Sequence, residues 1–345
     1  MKKIIFGCLC VFASIAATKI NAQTNFKFSL SDSIKISGDT GWDYLTTDDS
    51  TGRVFISHGI EVQVLNEKTK KIIGTIPDTK GVHGIAIANE LNKGFISDGK
   101  DSAVTVFNLT TLKTIIKIPV TGQNPDCILY DSFTHRVFAF NGHTSNVTVI
   151  DGTNNKIIGT IYLDGRPEFA VSNQAGKIYL NLEDKSMICE INSSTLKVER
   201  TWSISPGDGP SGLAIDIKNN ILFSVCDNKT MVILNAQTGK IITTLPIGDR
   251  VDAVAFDPFT QCAYSSNGDG TLTIVHEENP TTFSVIQTIK TKKGARTLAV
   301  DKKTHRIYLP TADFGAVPEQ KVGEKRKRPN IKKNSFVLLE IDLQN

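Results

Sequence analysis

Apolar and polar positions alternate along several short stretches of this chain, most clearly in Glu61-Val62-Gln63-Val64-Leu65-Asn66, Ala103-Val104-Thr105-Val106-Phe107-Asn108 and Asn146-Val147-Thr148-Val149-Ile150-Asp151. Met231-Val232-Ile233-Leu234-Asn235 belongs with them. Period two with many β-branched residues predicts half-buried strands. A turn such as Gln237-Thr238-Gly239-Lys240 leads to another run, seen as Lys71-Ile72-Ile73-Gly74-Thr75-Ile76 and Lys156-Ile157-Ile158-Gly159-Thr160-Ile161. Ahead of each alternator lies a strand that carries an aromatic, such as Arg53-Val54-Phe55-Ile56 or Arg136-Val137-Phe138-Ala139. Ahead of that lies a run that mixes large apolar residues with Ala, Thr or Val, such as Ile85-Ala86-Ile87 or Leu213-Ala214-Ile215. No stretch beyond the N-terminus has convincing helical periodicity.

The aromatics set the period. Phe55, Phe95, Phe138, Tyr179, Phe223, Tyr264 and Tyr308 are separated by 40, 43, 41, 44, 41 and 44 residues. A repeat of about 40 to 45 residues with four strands is one propeller blade. The chain is therefore expected to be all-β, a seven-bladed β-propeller of four-stranded antiparallel blades. Small residues on the first strand of each repeat suit the crowded centre, and the aromatics suit the core between blades. The seventh repeat ends at Phe336-Val337-Leu338-Leu339-Glu340-Ile341-Asp342 with almost no chain left for a fourth strand. Ser33-Ile34-Lys35-Ile36-Ser37 has outer-strand character and is expected to close the last blade from the N-terminus, which leaves no open seam.

Lys2 and Lys3, then an apolar run from Ile4 to Ala17, then Asn21-Ala22 before Gln23, form the pattern of a secretory signal peptide over 1–22, with the propeller over 23–345. The apolar run of 14 residues is too short for a span of roughly 20. No transmembrane segment is expected. Export to a bacterial periplasm or beyond the cell is. Of the 39 basic and 35 acidic residues, removal of Lys2, Lys3 and Lys19 leaves 36 and 35, a near-neutral chain. That balance argues against a general nucleic-acid binder. Cys127, Cys189, Cys226 and Cys262 lack CxxC spacing and read as buried thiols.

The phrases Val147-Thr148-Val149-Ile150-Asp151 with Asn155-Lys156-Ile157-Ile158-Gly159-Thr160-Ile161, Pro210-Ser211-Gly212-Leu213-Ala214-Ile215-Asp216, and Leu309-Pro310-Thr311-Ala312-Asp313-Phe314-Gly315 resemble the repeats of bacterial YVTN-repeat, YncE-like propellers. The likeness runs over the whole mature chain. The literal YVTN tetrapeptide is absent, with Phe55-Ile56-Ser57-His58 and similar runs in its place. The resemblance implies the propeller fold and leaves activity open, because fold alone does not set it.

In a four-strand meander the first strand begins and the second strand ends on the same face of the disc, so two sets of loops gather at one mouth of the channel. Two places before the first apolar residue of each inner strand stand Asp43, His83, Asp126, Glu168, Ser211, Asp252 and Arg296. This predicts a polar ring with four carboxylates. It would suit a polar ligand or a divalent cation, Ca²⁺ or Mg²⁺ on oxygen ligands and Zn²⁺ where His83 joins in. Polar strand starts that only cap turns are the structural counterpart of the same pattern. His58 and His143, in loops between second and third strands, and Trp42 are placed on that face as secondary candidates, whereas His135 and His305 belong to the other.

No GxSxG, HExxH or local Cys–His pair occurs. A lactonase-type or hydrolase-type enzyme would have to draw a metal and acid-base groups from separate blades. The seventh repeat also carries a long excursion, 313–335, with Lys321, Lys325, Arg326, Lys327, Arg328, Lys332 and Lys333 against Asp313, Glu319 and Glu324. It is an anion-binding candidate for nucleic acid, glycan or lipid head groups. The leading expectation is an exported module that binds a protein or small-molecule ligand through the mouth face; the enzyme is the alternative and the basic loop a third reading.

Overall fold

Alternating β-branched runs bounded by tight turns can bury one face only by pairing and stacking. The chain does both. The computed structural model describes residues 26–316 and 329–344. These form seven four-stranded antiparallel sheets. In sequence order the first six blades occupy 45–76, 82–119, 125–162, 167–203, 210–246 and 251–290. Each is a simple meander with its strands in chain order. Successive inner strands touch one another all the way round, and the inner strand of blade 7 meets that of blade 1. The ring is closed.

Blade 7 is assembled from both ends of the chain. Its inner strand, Ala299–Asp301, and its second, Arg306–Thr311, are followed by Val337–Gln344, which pairs antiparallel with the N-terminal strand Lys27–Lys35. The expected clasp is present, and it starts earlier than the Ser33 to Ser37 run suggested. Phe28 is the reason. Its ring is buried and meets Tyr264 of blade 6 edge-on at 5.4 Å. The signal-peptide segment lies outside the described residues.

All seven periodic aromatics are at most 2% exposed. Several bridge blades: Phe55 meets Phe107 of blade 2 at 5.8 Å, Phe95 stacks on Tyr130 of blade 3 at 6.4 Å, and Phe223 stacks on Phe256 of blade 6 at 5.2 Å. Large rigid rings suit a core that must fill wedge-shaped gaps between twisted sheets. Among the described residues, helix is confined to three single 3₁₀ turns, Asn89–Leu91, Gly99–Asp101 and Glu183–Lys185. The four cysteines are buried and unpaired by disulfides.

Five inner strands share an irregularity. The pairing register slips between Val82 and Ile85, Pro125 and Ile128, Pro167 and Ala170, Pro210 and Leu213, and Val251 and Ala253. A β-bulge leaves a residue unpaired and re-aims its side chain. The residues inside these bulges include His83, Asp126, Glu168, Ser211 and Asp252. Five of the seven ring positions are thus set by a backbone device repeated from blade to blade, and Asp43 and Arg296 precede the regular inner strands of blades 1 and 7.

Candidate functional site

Below the ring the channel is plugged. Tyr44, immediately after Asp43, reaches across from blade 1 to Phe169 of blade 4, with ring centroids 5.0 Å apart. A cavity of about 50 Å³ remains between Tyr44, Leu45, Gly84, Cys127, Ile128 and Phe169. Ligand pockets commonly occupy about 300 to 1,000 Å³. The mouth is therefore a shallow polar surface over an apolar floor.

On that floor the ring divides into linked groups. His83 Nδ1 lies 2.5 Å from Asp43 Oδ2 and 3.5 Å from Asp126 Oδ1. Arg296 Nη1 donates to Asp252 Oδ2 at 2.7 Å, and its Nη2 stands 3.5 Å from Asp43 Oδ1. Asp43, His83 and Asp126 bring one ligand atom each within 4.8 Å of one another. The far edge of the imidazole lies against Gly99, where an added Cβ would sit 2.7 Å from His83 Cδ2 and Nε2. Ser211 turns its hydroxyl down to the Val251 carbonyl at 3.3 Å and serves the backbone.

Four carboxylates face one guanidinium, so the ring retains protons. Burial pushes the Asp126, Glu168 and Asp252 carboxyls upward, with His83 and Arg296 opposing the rise at Asp126 and Arg296 opposing it at Asp252. Glu168 gains a further push from Asp126 and Glu183. Burial works against the imidazolium of His83, but the bond to Asp43 and the charges of Asp126 and Asp43 outweigh it, and its basicity rises. Asp252 first, then Asp43, hold Arg296 charged. Burial, then Asp252, Glu168, Asp43 and Asp126, keep the Tyr44 phenol protonated. Such a site holds a proton, a cation or a positively charged group of a ligand.

A girdle of small polar residues positions the ring. Ser97 Oγ accepts from Gly84 N at 2.8 Å and donates to the Asp126 carbonyl at 2.5 Å. Ser266 Oγ donates to the Arg296 carbonyl at 2.5 Å, Asn181 Nδ2 to the Ser211 carbonyl at 2.8 Å, and Thr297 Oγ1 to the Asp43 carbonyl at 2.7 Å. Each ties one blade to the ring residue of the next. The sequence reading missed them. The signal for three of them was a small polar residue two places after the aromatic, Ser97, Asn181 and Ser266, where an apolar one would pack; Thr297, directly after Arg296, carries no such mark.

The secondary candidates part company. His58 is the last residue of the strand Arg53–His58 and is 2% exposed, so it is no loop histidine. It packs on Phe336 at 4.7 Å and bonds Thr40 Oγ1 through Nδ1 at 2.8 Å. His143 is exposed, and Trp42 packs on Phe336 and Phe314 at 5.2 and 6.0 Å. The three mouth-face histidines do not gather. His58 and Trp42 serve the closure of blade 7 on blade 1. In the excursion, Lys321, Lys325, Arg326, Lys327 and Arg328 lie outside the described residues. Lys332 and Lys333 are exposed beside a short pairing of Phe314 with Ile331.

A larger concavity, about 300 Å³, lies on the opposite face between blades 1 and 7, lined by Gly52, Asn66, Glu67, Lys68, Thr304 and Arg306. Size alone would favour it. The convergence of groups favours the mouth, where five charged side chains from different blades meet.

The chain is a seven-bladed β-propeller. It is similar to a crystal structure of RRP9 WD40 repeats, with a TM-score of 0.77, 9% identity, and 92% of this chain and 100% of that one covered. It is also similar to a chain in a crystal structure of a mitotic checkpoint complex (0.72, 12%, covering 89% and 96%). The hydrazine synthase of Kuenenia stuttgartiensis follows (0.70, 14%, covering 79% and 94%). Identities this low establish a shared fold and nothing further. No family model and no curated protein matches. No helix among the described residues is long and apolar enough to cross a membrane.

Proposed function

We propose that this protein is an exported binding module, of the YVTN-repeat kind, that recognises a protein or small-molecule ligand through the mouth face of the disc. One observation carries the reading: Asp43, His83, Asp126, Asp252 and Arg296, drawn from five blades, form one connected charged network at a mouth sealed beneath by Tyr44 and Phe169. A rigid scaffold that presents convergent polar groups on a shallow surface is built to recognise. A fold of this kind also serves within an assembly, as the similar chain of the mitotic checkpoint complex does. The pattern of Lys2, Lys3 and the apolar run to Ala17 supports export.

The hydrolase alternative draws on the same His83 group but needs a cleft for its substrate, and the space under the ring is only about 50 Å³. Photo-crosslinking in the producing cells tests the choice of face. A benzophenone amino acid at the exposed mouth-face positions His143 or Asn228 should give a discrete adduct that disappears when Asp252→Ala is added. The same group at Asn154 or Lys218, exposed on the opposite face, should give none. Adducts from the opposite face alone would overturn the proposal.

A further inference from the structure

The mouth network holds more carboxylates than cations. Asp43, Asp126, Glu168 and Asp252 supply four carboxylates, and Arg296, the one guanidinium among them, is committed to Asp252 at 2.7 Å. Its second nitrogen approaches Asp43 through Oδ1, which leaves Asp43 Oδ2 facing His83. Asp43 Oδ2, His83 Nδ1 and Asp126 Oδ1 therefore surround one point from three blades.

Tyr44 supplies an independent observation. It is 7% exposed, and its buried hydroxyl has no hydrogen-bond partner. A buried hydroxyl without a partner is destabilising. Tyr44 follows Asp43 directly in the chain, and a water held on an ion beside Asp43 would give that hydroxyl a partner.

We infer that the channel mouth binds one divalent transition ion of the Zn²⁺ class through Asp43, His83 and Asp126, with a fourth position open to solvent or to a ligand above the Tyr44 floor. The inference rests on the mouth being the recognition site and names what gives that site its chemistry. Tetrahedral Zn²⁺ holds nitrogen and oxygen ligands at about 2.0 to 2.2 Å, which sets them about 3.3 Å apart. The His83–Asp126 separation of 3.5 Å already fits. The His83–Asp43 separation of 2.5 Å must open by less than about 1 Å as the ion replaces the proton between them, within reach of a carboxylate rotation. Calcium does not suit the set, because it takes about six to eight oxygen ligands and this group offers two carboxylates and an imidazole. The side chains of Asp43, His83 and Asp126 are 14%, 27% and 22% exposed, which leaves an entry path from the mouth and space for a fourth ligand.

Purified mature protein, stripped with chelator and titrated calorimetrically with Zn²⁺ alone, should take up one ion per chain. Ca²⁺ and Mg²⁺ at the same concentrations should give no heat. Co²⁺ should produce the intense visible absorption of a four-coordinate ion. His83→Ala and Asp126→Asn should each weaken Zn²⁺ binding at least about tenfold, whereas His143→Ala should leave it unchanged. Tyr44→Phe keeps the packing on Phe169 and removes only the hydroxyl, so it reports on the site even if His83→Ala fails to fold. It should shift the Co²⁺ spectrum and weaken affinity several-fold. Absence of Zn²⁺ binding, or binding indifferent to His83→Ala and Asp126→Asn alike, overturns the inference. Repeating the mouth-face crosslinking with chelator separates the two proposals: adducts without metal binding keep the recognition face and sink the ion, and metal binding without adducts does the reverse.

Discussion

Glu277 offers a quantitative test of how the blades are joined. It sits at the end of the third strand of blade 6, 1% exposed, against Asp216 at the end of the inner strand of blade 5. Its Oε1 accepts from Asn219 Nδ2 at 2.8 Å, and its Oε2 is buried without a partner. Burial first, then the charge of Asp216, raise its carboxyl from 4.5 to about 7. A folded chain that holds this proton more tightly than the unfolded chain is most stable below 4.5. It loses stability as pH rises from 4.5 to about 7, and the loss is complete above that. A shift of this size corresponds to a ceiling of about 3 kcal/mol, and relaxation around Asp216 reduces it to about 2. Glu277→Gln removes the titration while keeping the shape. Its melting temperature relative to the parent should therefore rise between pH 4.5 and pH 8 by about 4 to 6 °C, at about 2 °C per kcal/mol for a domain of this size. Thermal unfolding followed by circular dichroism across that range is the assay. A difference that is flat with pH, or that falls as pH rises, would refute the assignment of a protonated carboxyl to this seam.

Two further expectations concern the architecture. Deleting residues 26–35 removes the strand paired with Val337–Gln344 and the Phe28–Tyr264 contact, so melting should fall by at least about 10 °C and the freed edge should drive self-association, read by light scattering at two concentrations. A monomer of unchanged melting temperature would show that the clasp is dispensable. Gly212→Ala should cost about 1 to 3 kcal/mol in chemical denaturation, because the added Cβ would stand 2.7 Å from Ala253 Cα and Val254 N, backbone of the next blade that cannot swing aside. Gly142→Ala is the control, since nothing lies nearer than 3.7 Å to its new Cβ, and equal losses in both would refute the close-approach account.

Much of the ring was legible before the structure. Asp43, His83, Asp126, Glu168, Asp252 and Arg296 were located by counting back from the first apolar residue of each inner strand, and they lie where that count placed them. What the count does not contain is grouping. His83 meets Asp43 and Asp126 because blades 1, 2 and 3 are neighbours and the bulges of blades 2 and 3 turn His83 and Asp126 toward Asp43. Ser211 occupies an equivalent position and faces the backbone instead. His58 illustrates the opposite failure. As a residue beside a turn it resembled an exposed loop histidine, yet Phe336, just ahead of the strand Val337–Gln344, covers it.

The sequence by itself determined the strands, the seven-fold period, the N-terminal clasp and the ring positions, because each is written in local backbone geometry: period two in the side chains, and about 40 residues for one meander. Tertiary structure alone decided that Tyr44 crosses the channel to Phe169, that Glu277 shares a seam with Asp216, and that three ligand atoms converge on one point. Those contacts join residues about 40 or more positions apart. Closing the ring sets them, since the wedge between blades fixes which side chains are forced together and which polar atoms are left without a partner.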